Sequence, residues 1–521
     1  MLINCAKRGT PNGGDRDTMP PKMVKASPEI NTTDFTEKKI RIYFDEYIKF
    51  KDLQKQLIVS PPLNQLPEIK PQGGASKFVE IKIKDTLKEN TTYVFNFGQS
   101  IVDNNEENPY PFFKYVFSTG NYIDSLAVSG VVKDAEKKNP DTFVSVLLYE
   151  VDSTYTDSIV YKNLPTYVTN TLDSAATFQL TNLKAGKYML VGLKDVANNF
   201  LFNQKTDKIG FLKDFIEVPT DSVYTLTLFK EVTDYKVSKP VLVSKNRVLF
   251  GYEGEDAYEK MTVELLTKTP DTFKYKIIKD REKDTLHYWF TPFDVDSLVF
   301  KVSHSQKTDT FSVKIKELYR DSLVLSGMQR GDILFNNPFK IASNIPLIKK
   351  DDRNILLIKS DSANVDFDTV IDTLSNELLV NWNIRPNEKY ILQLLPNALT
   401  DFYGNTNDTL NYYLSSKSYA DLGNISISLR NVSSYPIIIQ LTDEKGVVKA
   451  EQYVEKTLPS YDFRFLNPGK YHIRVVFDTN KNGKWDTGNY LQKLQPERIS
   501  YYPDLLELRA NWELQQVFTL E

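Results

Sequence analysis

Leu183-Lys184-Ala185-Gly186-Lys187-Tyr188-Met189-Leu190-Val191-Gly192-Leu193-Lys194-Asp195 is the stretch whose reading decides the fold. A glycine turn feeds an alternating strand that ends on a polar loop. The same design returns late in the chain, where Leu466-Asn467-Pro468-Gly469-Lys470-Tyr471 opens a strand ending at Asp478. Both 469 − 186 and 478 − 195 give 283. A fainter echo links Asn90-Thr91-Thr92-Tyr93-Val94-Phe95 to Asn387-Glu388-Lys389-Tyr390-Ile391-Leu392, and Ile101-Val102-Asp103 to Leu399-Thr400-Asp401. The offsets there, 390 − 93 = 297 and 401 − 103 = 298, differ by one residue, as a loop insertion would produce. The chain therefore reads as A-B-C-A′-B′, and a repeated β pair favours a string of domains over a single enzyme core.

Working outward, the expected fold class is all-β. Tyr and Phe stand at 30 each and Pro at 25, with short runs of Val, Ile and Thr, which is the composition of strands and turns. In the first block Ile40, Ile42 and Phe44 point one way while Arg41 and Tyr43 point the other, and Val79-Glu80-Ile81-Lys82-Ile83-Lys84 alternates as strictly. Tyr115-Val116-Phe117-Ser118-Thr119-Gly120 closes that block. The expected divisions are a flexible tether over 1–22, and β units at 23–120, 124–232, 233–320, 321–418 and 423–521. In the third unit Leu286-Tyr288-Phe290, Leu298-Phe300-Val302 and Phe311-Val313-Ile315 are the expected inward faces.

Composition removes several functions. The 65 basic and 68 acidic residues leave a net charge of −3, so nothing electrostatic points to nucleic acid. No apolar run approaches a membrane span; Tyr435-Pro436-Ile437-Ile438-Ile439 is far too short. Three histidines, His287, His304 and His472, are too few and scattered for the usual metal-hydrolase or acid/base sites.

The sharpest local motif is Asp478-Thr479-Asn480-Lys481-Asn482-Gly483-Lys484-Trp485-Asp486. Oxygen ligands at alternate positions with Gly at the sixth suit Ca²⁺, so Asp478, Asn480, Asn482 and Asp486 form a candidate calcium loop. The twelfth position is Asn489 rather than a bidentate Glu, so the expected affinity is weak. The competing reading is a hairpin loop in which Asn and Gly supply positive φ and Asp caps the turn. The sister loop runs from Asp195 to Asn199 with Asp207 beyond, and it lacks the Gly. Asp45-Glu46 and the cluster from Asp103 to Glu107 are the acidic pairs to test for glycosidase chemistry. Neighbours on one strand face opposite ways, so Asp45 and Glu46 share a task only across a bulge. No nucleophile elbow, zinc motif, Walker loop or dinucleotide fingerprint occurs, and the chain is expected not to be an enzyme.

The only cysteine, Cys5, cannot form an internal disulfide. Met1-Leu2-Ile3-Asn4-Cys5 resembles the lipobox of a bacterial lipoprotein, in which that Cys becomes the lipidated N-terminus, although an apolar h-region does not precede it. Otherwise Cys5 is a free thiol in a tether. Phe44-Asp45-Glu46-Tyr47, Asn90-Thr91-Thr92-Tyr93 and Phe117-Ser118-Thr119-Gly120 resemble the SbsA-type bacterial Ig-like domain. The Gly-Lys-Tyr turns of the second and fifth blocks are similar to the prealbumin or carboxypeptidase-regulatory β-sandwich. The fourth block resembles a degenerate Ig-like domain.

Together these features resemble a multi-domain Ig-like outer-membrane lipoprotein of Bacteroidota. The resemblance implies a non-catalytic, lipid-anchored structural or interaction subunit of an outer-membrane β-barrel protein complex, an accessory of barrel assembly or secretion, on the cell-surface face. Ala6-Lys7-Arg8 stands where acidic residues are common in the surface-export pattern. Repeated Asp-Ser/Thr-aliphatic triplets, such as Asp85-Thr86-Leu87 and Asp372-Thr373-Leu374, resemble the O-glycosylation acceptor of that phylum, and turn chemistry accounts for them equally. The alternative function is a surface glycan-binding lipoprotein serving a neighbouring transporter, with Trp289, Trp382, Trp485 and Trp512 as the platform; buried sandwich tryptophans are the competing reading.

Overall fold

The computed structural model describes residues 17–171, 176–254, 257–305, 307–329, 331–335 and 337–520. Cys5 and most of the expected tether lie outside them. The described chain is all-β, and its helix is confined to single turns such as Leu53–Gln56 and Ala257–Lys260. It divides into two compact units, Met1–Glu231 with Asp486–Glu497, and Val232–Trp485 with Arg498–Glu521.

In the first unit, one sheet orders the strands Met23–Ser27, Lys39–Phe50, Ser76–Lys82 and Glu68–Lys70. It faces a second sheet of Ile58–Ser60, Thr92–Asn96 and Lys114–Ser118. The period-two pattern is the cause: Ile40, Ile42, Phe44, Val79 and Ile81 are buried between the sheets, with Phe95, Tyr115 and Phe117 opposite. Between Tyr43 and Ile48 the pairing of the long strand slips, and its second half takes Ile101–Asp103 as a partner, with Ile48 opposite Asp103. Tyr93 accepts the Lys88 N–H on its hydroxyl at 2.9 Å and fixes the crossing loop.

A second sandwich follows. Its larger sheet orders Tyr167–Asn170, Ser145–Glu150, Gly186–Lys194 and Lys208–Phe211, with Ile216–Val218 also on the third of these. The smaller sheet orders Thr177–Leu183, Leu126–Asp134 and Val223–Leu228, the last pair parallel. Gly130 lies at that parallel contact, where an added Cβ would stand 2.2 Å from the Tyr224 carbonyl and 2.5 Å from the Phe178 ring. Only a residue without a side chain lets the strands close there.

Residues 486–497 belong to this first unit, whereas the sequence places them inside a continuous fifth block over 423–521. The physical reason is a buried aromatic. Tyr490 is fully buried, edge-on to Phe211 with ring centroids 5.2 Å apart, and its N–H donates to the Glu231 carboxylate. Gln495 donates to the Phe211 carbonyl at 2.9 Å, and Lys493 pairs with Asp157 at 2.7 Å.

The second unit holds three β-sandwich cores. In the third sandwich the sheet Lys236–Val237, Arg247–Glu253, Thr285–Phe290 and Tyr275–Lys279 faces Met261–Leu265, Ser297–His304 and Lys307–Lys314. Leu286, Tyr288, Phe290, Leu298, Phe300 and Val302 fill the space between.

The fourth repeats the first, with one short strand added, Asp332–Ile333 parallel to Leu410–Ser416. Leu325–Gly327, Phe339–Ser343, Glu377–Trp382 and Phe367–Asp372 form one sheet, and Ile355–Lys359, Lys389–Leu394 and Leu410–Ser416 lie in the other. Leu347–Lys350 pairs with Leu399–Asp401 where the first sandwich pairs Ile48–Phe50 with Ile101–Asp103. Tyr390 accepts the Arg385 N–H at 2.8 Å, as Tyr93 does from Lys88. Asn90 and Asn387 both turn the chain in the left-handed region, at φ 50 and 57.

The fifth sandwich repeats the second. Val448–Val454, Ile437–Thr442, Gly469–Phe477 and Ile499–Tyr501 make the larger sheet, and Tyr461–Leu466, Gly423–Arg430 and Glu513–Thr519 the smaller, again with a parallel last pair. Tyr188 and Tyr471, which follow the Gly-Lys turns, each donate to the carbonyl four residues back, at 3.1 and 2.6 Å.

Candidate functional site

The third and fourth sandwiches enclose a polar cleft of about 850 Å³. Arg247 and Trp289 sit directly opposite on neighbouring strands, and this register lays the guanidinium over the indole, 4.8 Å from the ring centroid. Nη2 of Arg247 reaches Asp321 at 3.4 Å, and its buried Nε has no hydrogen-bond partner among the described residues. His287 lies between Leu249 and Ile278 on the adjacent strands, and its Nε2 is 3.0 Å from Asp280 Oδ2. Burial, then the Arg247 charge, pushes the His287 pKa down despite Asp280. Burial pushes Asp280 up, but the N–H groups of Glu282 and Lys283 and then His287 outweigh it, so this carboxyl is held below its ordinary value.

The cleft walls are locked by donors to backbone. Arg281 donates to the carbonyls of Ser375 and Asn376, both at 3.2 Å, and pairs with the buried Glu377 at 3.2 Å. Tyr403 donates to the carbonyls of Asn246 and Phe290, at 3.2 and 3.0 Å. The arrangement can bind a polar group. His287 hydrogen-bonds to no hydroxyl or thiol among the described residues, so the imidazole–carboxylate pair has no nucleophile to activate there. Sequence reading named His287 and Trp289 separately and did not join them to Arg247, Asp280 or Arg281, because the walls of the cleft come from strands and turns well apart in the chain.

The expected calcium residues are placed as follows. Asp478, Asn480 and Asn482 lie in one turn of the second unit, whereas Asp486 belongs to the first. Asp478 accepts the N–H groups of Asn482 at 3.1 Å and Gly483 at 2.8 Å. Asn480 accepts from Asn482, and Asn482 from Lys484. The N–H of Asp486 donates to Glu497 at 3.1 Å. No group of three His, Cys, Asp or Glu side chains able to hold a metal occurs among the described residues. In the sister loop Asp195 accepts from Phe200 at 2.6 Å, and Asp207 accepts from Val196 and Asn203.

The acidic pairs are spent on loop shape. Asp45 accepts the Lys22 N–H at 2.8 Å. Glu46 is half-buried, and burial followed by the charges of Asp103 and Asp45 raises its pKa. Asp103, itself buried, accepts four backbone N–H groups from Asn105, Glu106, Glu107 and Asn108. Asp401 does the same work in the fourth sandwich, accepting from Tyr403 and from both nitrogens of Asn405. Two of the Asp-Ser/Thr triplets are also turn caps: Asp85 accepts from Asn64 and Thr86, and Asp372 from Leu374 and Ser375.

The tryptophans are distributed over three sandwiches. Trp289 is fully buried in the third, Trp382 is half-buried in the fourth, and Trp485 and Trp512 belong to the fifth. Trp512 is the exposed one, with the Arg509 guanidinium 5.1 Å from its ring.

With this geometry in hand the chain can be set beside known proteins. Residues 17–119 match the bacterial Ig-like domain, so the first sandwich is of that class, and the chain as a whole is a multi-domain all-β protein. Among solved structures it is similar to domains 1–6 of the surface layer protein SbsC, at 11% identity over 94% of this chain and 67% of that one, with a TM-score of 0.17. It is similar to the Bacillus anthracis TIE protein, at 10% identity over 98% and 76% of the two chains, with a TM-score of 0.14. The major pilin subunit of Bacillus cereus is similar at 10% identity over 76% of this chain and 100% of that one, with a TM-score of 0.14. Likenesses this remote carry no inference about function. No curated protein matches the chain.

Proposed function

We propose that this chain is a non-catalytic interaction protein: a series of β-sandwiches, lipid-anchored through Cys5, that serves as a subunit of an outer-membrane protein complex. One observation carries the non-catalytic part. The buried carboxylate of Asp103, singled out as candidate chemistry, and that of its repeat counterpart Asp401 hold loops by accepting backbone N–H groups at equivalent places in two repeats. A role shared by two copies of a sandwich is structural. The duplication of the sandwiches supports the interaction part, because repeated sandwiches present edges and loops in place of a single cleft. The anchor and the location rest on the Met1–Cys5 segment, outside the described residues.

The test is gentle detergent extraction of the native membrane followed by affinity purification and mass spectrometry. The expected result is a stoichiometric outer-membrane partner together with an N-terminal peptide that begins at a diacylated Cys5. Recovery of the chain alone from the soluble fraction, with an unmodified Cys5 thiol, rejects the reading.

A further inference from the structure

The second and fifth sandwiches are copies, and one difference between them lies at an open side. Each has an open side between the edge strand of its larger sheet and the edge strand of its smaller sheet. In the second sandwich these edges are Tyr167–Asn170 and Thr177–Leu183. There the strand Ile58–Ser60 of the first sandwich lies against them, and Ser60 Oγ accepts the outward N–H of Val168 at 3.1 Å. Ile58, Val59 and Ser60 are all buried in this position, and the space left is about 20 Å³. In the fifth sandwich the equivalent edges are Val448–Val454 and Tyr461–Leu466, and no strand pairs with either on its outer side among the described residues. A groove of about 870 Å³ remains there.

Strand register identifies why. Leu148 is paired with Leu190 on one side and Tyr167 on the other. Leu441 is paired with Ile473 and Ala450. Leu190 and Ile473 are separated by the repeat interval of 283, so Ala450 occupies the place of Tyr167. Tyr167 is buried and packs edge-on to Tyr188 at 6.0 Å. Its replacement by Ala removes a ring from the open side and hollows it. By the same register Glu451, opposite Gln440, stands where Val168 stands opposite Leu147, with its edge N–H facing the groove. The far wall is aromatic, Phe335 against Phe465 at 5.2 Å, and rim charges pair with one another, Lys449 with Asp443 at 3.0 Å and Lys470 with Glu444 at 3.4 Å.

We propose that the groove between Val448–Val454 and Tyr461–Leu466 is a docking site for an extended, β-branched, apolar segment of a partner protein, added along the edge strand. The copy supplies the occupant's chemistry: what closes the same side of the second sandwich is a short apolar strand offering an acceptor to an edge N–H. Edge N–H and C=O groups give such a segment its affinity, and the pockets beside them set its side chains. The volume suits one extended segment, since clefts that bury a small ligand span roughly 300–1,000 Å³. This inference deepens the reading of the chain as an interaction protein, but its test uses the purified chain and does not depend on a lipid anchor.

The probe is a random-peptide display library panned over the purified full chain and counter-screened against Ala450→Tyr, a change that restores the ring carried by the copy. Selected peptides are expected to be rich in Val, Ile and Thr and to bind Ala450→Tyr at least about tenfold more weakly. They should slow amide exchange in 448–454 and leave 167–170 unchanged. Glu451→Pro, which removes the edge N–H and keeps the groove open, should weaken them comparably. Enrichment that is equal on Ala450→Tyr, the absence of any enrichment, or protection that maps outside the groove would each overturn the proposal. A concentration-dependent dimer in sedimentation, abolished by Ala450→Tyr, would also overturn it by assigning the groove to a second copy of the chain.

Discussion

Asp103 and Asp401 show how a conspicuous acidic residue is used here. Each is buried at the end of a strand, and the loop beyond it turns on backbone N–H groups that donate to its carboxylate. Asp103→Ala should therefore cost about 3 kcal/mol of unfolding free energy in the first sandwich, because four backbone N–H groups lose a charge-assisted acceptor at once. Asp45→Ala, on an exposed residue with one backbone bond, should cost well under about 1 kcal/mol. Urea titrations of the two variants measure the contrast, and equal losses would contradict it. His287 makes a pH-dependent contribution of definite sign. Its folded pKa lies below its ordinary value near 6.5, chiefly through burial, so the unfolded chain binds the proton more readily. The stability it provides is complete above that ordinary value and is lost as pH falls from there toward the depressed folded value. His287→Gln should flatten the decline below about pH 6.5 in the melting of the second unit. The depressed Asp280 acts in the same direction in a lower window, below its ordinary value of 3.8.

At the scale of elements, the parallel pair that closes the second sandwich depends on close backbone approach. Gly130→Ala should destabilise that sandwich by about 2–3 kcal/mol, because the new methyl meets a carbonyl and a buried ring that cannot both retreat. Gly446, at φ +84 with open space around its Cβ position, reports turn strain alone, and Gly446→Ala should cost about 1 kcal/mol. Scanning calorimetry of both variants separates packing from conformation. The Asp478 turn offers a further check. Its carboxylate already accepts N–H groups of Asn482 and Gly483, so a calorimetric titration of the chelator-treated chain with millimolar Ca²⁺ should give no saturable heat. Saturable binding lost in Asp478→Asn would instead support the calcium reading of the loop.

At the scale of the whole molecule, chain order and compact unit do not coincide. Residues 486–497 complete the packing of the first unit through Tyr490, which lies against Phe211 and Tyr161. Tyr490→Ala should destabilise that unit by about 3–4 kcal/mol and should make 486–497 the first site of limited proteolysis. An unchanged cleavage pattern would show that the segment docks without Tyr490.

The sequence by itself determined the strands, the inward faces and the A-B-C-A′-B′ order. Period-two alternation and turn residues are local properties, and a strand such as Lys39–Phe50 buries Ile40, Ile42 and Phe44 whatever lies beyond its own sheet. The repeat was legible for the same reason: Gly186 and Gly469, or Tyr93 and Tyr390, solve the same local turn twice. Tertiary structure alone decided what the edges meet. Tyr167 fills one open side and Ala450 hollows the other, and Ile58–Ser60 reaches the first edge while none of the described strands reaches the second. The cleft of Arg247, Asp280 and His287, and the docking of 486–497, were hidden likewise. They depend on approaches between segments distant in the chain, and no local pattern of hydrophobicity encodes which surface a finished sandwich will find beside it.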